Sequence, residues 1–291
     1  MIPRSFEYLA PRTLDEALSL LQKLGQEAKI LSGGQSLIPM MKLRLAAPPY
    51  VIDINHIPGL NYISESDGFL RIGALARESD LEVSPTVISR FPILVDTTSV
   101  IADPLVRNQA TVCGNLAHGD PANDHPATML ALEASLIAVG PNGEREIPVE
   151  SFFTGLFTTA LQPDEILKEI KVPIPPPSSG GAYLKLERKV GDYATAGVAV
   201  QITVNKAGVC QRAGIGLTNV GFSPLKARKA EAFLVGKSLD DATIKRASEL
   251  AAGESQPIDD IRGPADYKRD LVRVLTVRAL NRAIKRAKGG A

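Results

Sequence analysis

Cysteine is scarce: Cys113 and Cys210 are the only two in 291 residues. A [2Fe–2S] cluster of the usual kind needs four thiolates, so this chain cannot hold one alone. So few cysteines also point away from a disulfide framework and toward a reducing cytoplasm. Histidine is nearly as rare. His56, His118 and His125 show no metal-ligand spacing, and His118 and His125 read as exposed residues flanking a polar loop. No metal site is expected. A basic excess is missing too, since 33 Lys+Arg stand against 32 Asp+Glu for a net charge of +1. That balance excludes the strongly basic surface of a nucleic-acid binder. The one basic cluster, the closing RALNRAIKRAKGGA, reads as the solvated end of a helix. No run of eighteen apolar residues occurs, which excludes a spanning helix, and the opening MIPRSFEY lacks the apolar stretch of a secretory signal.

Familiar catalytic and nucleotide motifs are absent as well. Gly214-Ile215-Gly216-Leu217-Thr218-Asn219 begins like a dinucleotide fingerprint but ends in Asn and follows no βαβ start. Gly236-Lys237-Ser238 resembles the end of a P-loop, yet Glu231 occupies the place of its first glycine. No nucleophile-elbow serine is present. Asp240-Asp241 and Asp259-Asp260 read as helix starts and solvated turns. No catalytic side chain is expected.

What is there is ordinary globular composition, 44% apolar and 22% charged, with two uncharged glycine-bearing runs. They are Ser32-Gly33-Gly34-Gln35-Ser36 and Thr111-Val112-Cys113-Gly114-Asn115. A Gly-Gly step reaches positive φ and lets a ligand approach where a Cβ would stand. Successive N–H groups in such turns form an anion-binding nest. Ser32, Gln35, Ser36, Thr111 and Asn115 add neutral donors. Either run alone is an ordinary turn; two together suggest a cradle for a diphosphate, and so a dinucleotide cofactor.

Around them the chain reads as α+β. Thr13-Leu14-Asp15-Glu16 is a capping box, followed by helical spacing of Leu14, Ala17, Leu18, Leu21 and Leu24 and a stop at Gly25. Strands are expected at 29–31, 50–54 and 69–73. Helical segments follow at 75–83 and 85–101, with a further helix from Pro126 to Glu133. Residues 135–139 and 144–147 form a hairpin across Pro141-Asn142-Gly143, and a strand runs from Ile166 to Val172. Residues 173–181, rich in Pro, Ser and Gly, read as a linker. Beyond it come three strands, 182–188, 196–205 and 209–217, and three helices starting near Pro224 (Ser223 as cap), Asp240 and Asp266.

The longer contexts KILSGGQSLIPMMKLRL and IADPLVRNQATVCGNLAHGDPANDHP carry a resemblance. With IPRSFEYLAPRTLDEAL at the start and RGPADYKRD near the end, the sequence resembles the FAD-binding medium subunits of molybdenum hydroxylases of the xanthine dehydrogenase and aerobic carbon monoxide dehydrogenase type. The resemblance implies a two-subdomain FAD-binding domain of the PCMH/vanillyl-alcohol-oxidase-like type over 1–175, divided near residue 56. It also implies a C-terminal domain over 180–288 with a three-stranded antiparallel sheet. It assigns FAD contacts to Ile30, Leu31, Ser32, Gly33, Gly34, Gln35, Ser36 and Leu37, and to Thr111, Val112, Cys113, Gly114 and Asn115. Ile101, Asp124, Leu161, Lys185 and Tyr193 complete the set, with Tyr193 beside the flavin ring.

On residue type alone, Ile101 and Leu161 also suit plain core and Asp124 a helix start. Lys185 equally suits a solvated strand face, Tyr193 a strand edge, and Arg107 a pairing with a diphosphate or with Asp103. Cys113 stands where the family often has Gly, so the second run requires φ < 0 there. By resemblance the partners are a small iron–sulfur subunit, carrying [2Fe–2S], and a large molybdopterin subunit, in a heterohexamer. The alternatives are a stand-alone flavin-dependent reductase and a flavin-free scaffold.

Overall fold

The structure, a computed structural model, describes residues 1–290. Its N-terminal unit comprises β1 (Glu7–Leu9), α1 (Leu14–Leu24), β2 (Ala28–Leu31), α2 (Leu37–Lys42) and β3 (Tyr50–Asp53). The strands make a parallel sheet in the order β1-β3-β2. The capping box forms as expected: Glu16 N–H donates to Thr13 Oγ1 at 3.2 Å, and the Glu16 carboxylate accepts from Thr13 N–H at 3.3 Å. Such a cap contributes about 1 kcal/mol. It sets α1 so that Ala17, Leu18 and Leu21 share one apolar cluster with Ile52 and Ile54. The first glycine run therefore leaves the carboxyl end of a parallel strand, where open α/β sheets place ligands.

The second unit runs through β4 (Ile63–Ser66), β5 (Phe69–Gly73), α3 (Glu78–Val83), α4 (Pro85–Arg90), α5 (Pro92–Ser99) and α6 (Pro104–Arg107). It continues with α7 (Val112–His118), α8 (Asp124–Ala131), β6 (Ser135–Gly140), β7 (Gly143–Pro148), β8 (Phe153–Gly155), β9 (Thr158–Thr159) and β10 (Ile166–Pro173). Pro85, Pro92 and Pro104 each open a helix, where a missing N–H costs nothing. The main sheet has the order β4-β5-β10-β6-β7. Its β6–β7 hairpin turns over Pro141-Asn142 with Gly143 at φ 98°, as the Asn-Gly step predicts.

The C-terminal unit holds β11 (Ser179–Leu186), β12 (Ala196–Val204), β13 (Cys210–Thr218), β14 (Leu225–Lys226), α9 (Arg228–Leu234), α10 (Asp241–Glu254) and α11 (Ala265–Ala287). Two local expectations change here. β10 extends through Pro173 and β11 begins at Ser179, so the connection shrinks to 174–178. The helix expected from Pro224 starts only at Arg228, because Leu225 and Lys226 pair with Leu217 and Gly216 as a short fourth strand. Leu225 thereby reaches the C-terminal core, a gain that one early helical turn would forfeit. The helix α8 lies directly on β13. A Cβ at Gly214 or Gly216 would run into the carbonyl oxygens of Ala131 and Ala127. At the far end of α11, Arg286 grips Asp96 of α5 with two bonds, at 2.6 and 3.0 Å.

Lys226 sits in an acidic junction between the second and third units. It pairs with Glu150 and lies 3.5 Å from Glu133 and 3.9 Å from Glu231. Glu231 accepts Ile215 N–H at 2.7 Å, and burial pushes its carboxyl up to about 7 from an ordinary 4.5. A carboxyl raised in the folded state contributes stability that is complete below its unfolded value and is lost as pH rises through 7. Glu231→Gln keeps the acceptor for Ile215 but cannot ionise. Relative to the parent, the variant should gain in melting temperature as pH rises from 4.5, most steeply midway between 4.5 and 7, and level off above 7. Parallel thermal melts across that range check this, and a pH-independent difference would refute it.

Candidate cofactor-binding site

A cleft of about 860 Å³ opens where the three units meet, within the usual range for a cofactor site. β2 feeds the first glycine run into its wall. Gly34 has φ 73°, a conformation open to glycine at little cost. Gly33 has no positive φ and is needed for a different reason. A Cβ there would come within 2.8 Å of Ala110 Cα and Thr111 N, so the first run lies against the backbone entering the second. Ser32 Oγ and Thr111 Oγ1 complete the clasp at 2.9 Å. Among the described residues, the amides of Gly33, Gly34, Gln35 and Ser36 have no protein acceptor. The Gln35 side chain turns back onto Gly33 O at 3.2 Å.

The second run differs from the expected nest. It is the start of α7, capped by Thr111, which accepts Gly114 N–H at 3.2 Å. Val112 N–H goes to Ala76 O at 3.1 Å and Asn115 N–H to Thr111 O at 3.0 Å, so most of its donors are spent within the protein. Val112 is fully buried in the core and does not line the cleft, because successive helix positions face different sides. Cys113 meets its requirement, since its φ is not positive. Its thiol donates weakly to Ile72 O at 3.7 Å, and burial pushes it well above the ordinary range, which makes it a poor nucleophile. Asn115 closes the run with a buried Oδ1 that has no partner among the described residues.

Sequence reasoning missed the side chains that hold the two runs in register. Asn55 Nδ2 donates to Ser32 O at 2.8 Å and to Asp53 Oδ1 at 2.6 Å. Arg77 donates to Asn55 Oδ1 at 2.7 Å and to Gln109 O at 2.5 Å. Tyr8 Oη closes the network on Asp53 at 2.6 Å. One charged side chain thus ties together carbonyls on both walls of the cleft.

Asp124 is the first residue of α8, after Asn123, so the helix starts two residues before Pro126. Its carboxylate receives Tyr183 Oη at 2.5 Å and Lys185 Nζ at 3.0 Å. Lys185 is no solvated strand residue: its side chain is 2% exposed, and Nζ also donates to Asp192 O at 3.0 Å. Desolvation still pushes the Asp124 carboxyl above its ordinary range, against the pull of Lys185. The histidine reading is corrected as well. His125 is fully buried, with Nε2 2.6 Å from Glu78 Oε2, because it faces the first turn of α3 across the core. His118 is half-buried beside Phe157, with ring centroids 5.3 Å apart, and desolvation lowers its pKa.

Ile101 and Leu161 line the cleft while packing into its walls. Tyr193 stands at the same cleft, 45% exposed. Arg107 does not form an ion pair with Asp103. It donates to Ile101 O at 3.0 Å and pairs with Glu82 at 3.1 Å, while Asp103 caps α6. Every expected contact residue except Val112 therefore lines one cavity.

Residues 4–175 match the family described as "FAD binding domain in molybdopterin dehydrogenase", and residues 181–283 match "CO dehydrogenase flavoprotein C-terminal domain". The chain is 45% identical to a carbon monoxide dehydrogenase medium chain of Hydrogenophaga pseudoflava, over 97% of this chain and 98% of that one. It is 36% identical to the 6-hydroxypseudooxynicotine dehydrogenase complex subunit alpha of Paenarthrobacter nicotinovorans, over 99% and 97%. A solved structure of the Hydrogenophaga pseudoflava carbon monoxide dehydrogenase, in a form lacking the Mo-pyranopterin moiety, superimposes with a TM-score of 0.96 at 46% identity, covering 98% of this chain and 99% of that one. With family models matching both parts and a relative 45% identical over 97% of this chain, the chain belongs to the family of FAD-binding oxidoreductase subunits of molybdopterin dehydrogenases.

Proposed function

We propose that the chain holds one FAD across the cleft and relays electrons from a small [2Fe–2S] subunit to an external acceptor. The observation that carries this reading is the loop of unpaired amides at 33–36, pinned by Gly33 against the start of α7. Unpaired N–H groups on a glycine loop suit a diphosphate without requiring a cationic side chain. The buried, partnerless Oδ1 of Asn115 offers an acceptor to a ribityl or ribose hydroxyl. Asp124, already bonded to Tyr183 and Lys185, has a fixed carboxylate for the same purpose. Ile30, Leu31, Leu37, Ile101 and Leu161 supply apolar wall, and Tyr193 gives an aromatic face at the ring end.

When bound, FAD supplies a redox centre that accepts electrons singly and releases them in pairs. The protein's own part is to bind it, orient it and exclude water. Substrate oxidation, of CO, an aldehyde or a related compound, falls to a large molybdopterin subunit. The FAD-binding part spans 1–175 and the C-terminal part 180–288, within a cytoplasmic heterohexamer.

Co-expression of the chain with its two partners, followed by affinity purification, tests the assignment. The expected product is a yellow complex of three kinds of chain with about one FAD per copy of this one, and with dye reduction that depends on all three. Turnover of an organic substrate by this chain alone would overturn the reading in favour of a stand-alone reductase. A colourless but intact complex would overturn it in favour of a scaffold.

A further inference from the structure

Arg262 lies in the RGPADYKRD stretch, just ahead of α11, and is not part of the cleft lining. It nevertheless reaches the cleft loop. Its Nη2 donates to Asp192 Oδ1 at 3.1 Å, and its guanidinium carbon stands 5.8 Å from the centroid of the Tyr193 ring. Asp192 Oδ1 also accepts Tyr193 N–H at 2.8 Å, so one carboxylate oxygen couples Arg262 to the Tyr193 backbone. The other oxygen accepts Arg188 Nε at 3.0 Å.

The loop 187–193 is thereby held at three places. Gly191, at φ 80°, lies so close to the second unit that a Cβ would come within 2.6 Å of Ala102 O. Lys185 Nζ holds the Asp192 carbonyl from beneath. The third hold, Arg262, comes from outside the cleft wall. It is itself fixed: Asp260 accepts Arg262 N–H at 2.8 Å and pairs at 2.6 Å with Lys268, a lysine buried in α11. A chain of contacts therefore runs from α11 through Asp260 and Arg262 to the Tyr193 ring.

We propose that Arg262 is a positioning residue that, through Asp192, holds the 187–193 loop and the Tyr193 ring across the cleft mouth and so sets how quickly a flavin leaves and how far water reaches its ring. This rests on the FAD reading above. A planar guanidinium serves both partners, offering a directed N–H to the carboxylate and a flat cation to the ring.

The test uses Arg262→Ala, Arg262→Lys, Asp192→Asn and the double variant Arg262→Ala/Asp192→Asn in the assembled complex. Flavin release is followed by fluorescence after dilution, and ring exposure by iodide quenching. Arg262→Ala should release FAD roughly tenfold faster and quench more readily, with Arg262→Lys in between. The double variant should fall clearly short of the two single effects combined, since Arg262→Ala and Asp192→Asn both weaken the Arg262–Asp192 link, while Asp192→Asn also loosens Arg188. Amide hydrogen exchange of 187–193 in the flavin-free chain should rise in Arg262→Ala, a readout that needs no flavin. Release, quenching and exchange all within about twofold of the parent would overturn the inference, as would full additivity of the two single variants. A parent complex without FAD defeats the functional reading instead, and the exchange measurement still decides whether Arg262 orders the loop.

Discussion

Gly33→Val is expected to abolish the flavin absorbance of the purified complex while the C-terminal sheet stays folded. Valine places atoms where Ala110 and Thr111 backbone already stand, and neither can yield as a flexible side-chain tip could. The two runs must then part. Their separation is set by Asn55 on Ser32 O and Arg77 on Gln109 O, so parting also strains that network. Overpacking of this kind costs about 1–3 kcal/mol. Exerted in full on the bound geometry, it lowers flavin affinity by up to roughly a hundredfold. Gly34→Ala is the milder comparison, because its penalty is mainly the positive φ, about 1–2 kcal/mol. Fluorescence titration with FAD, alongside near-UV circular dichroism, reads both effects. Unaltered occupancy in Gly33→Val would remove the close approach of the two runs as the basis of binding.

The second large effect is on stability. Lys185→Met leaves Asp124 buried beside Tyr183 with no cation, and stripping one partner from a buried pair costs about 3–5 kcal/mol. In a chain of this size that is a drop in melting temperature on the order of 10 °C. The deficit should depend on pH. Burial already raises the Asp124 carboxyl, and losing Lys185 raises it further. A carboxyl raised in the folded state contributes most when protonated, and its contribution is lost as pH rises through the folded value. Lys185→Met should therefore lie nearest the parent in acid and furthest from it at pH 8. Adding Asp124→Asn should recover much of the loss at pH 8 by removing the unpaired charge. A deficit unchanged by pH and by that second substitution would mean that Lys185 acts only by filling space.

The local signals at caps and tight turns mostly proved accurate, because each is decided by a few neighbouring residues. The Thr13–Glu16 box, the Asn142-Gly143 turn and the proline-led helices all formed. Ser32–Ser36 is the uncharged loop its glycines imply, and one cavity gathers the residues that the resemblance brought forward. What escaped was decided at a distance. Thr111–Asn115 carries the same residue types as a nest, yet a bridge from Arg77 to Thr111 delivers it as a capped helix. The roles of Asn55 and Arg77 rest on residues far along the chain, with no local motif to mark them. His125 sits in a polar stretch of sequence, and only the tertiary fold, which brings the first turns of α8 and α3 together, reveals its partner, Glu78. Leu225 and Lys226 form a strand because β13 presents an edge to them.

The contact of α8 with β13 bears on how such chains can be recombined. Gly214 and Gly216 leave no room for even a methyl group between strand and helix backbones. A chimera joining the flavin-cradling half of one relative to the C-terminal half of another must therefore keep both strand positions bare, however well its linker is chosen. One alanine at residue 216 would lift the helix whose first residue is Asp124 and draw that carboxylate away from Lys185, its partner on the other half. The halves are interchangeable only as matched pairs, and the seam between them is inherited as part of the cofactor site.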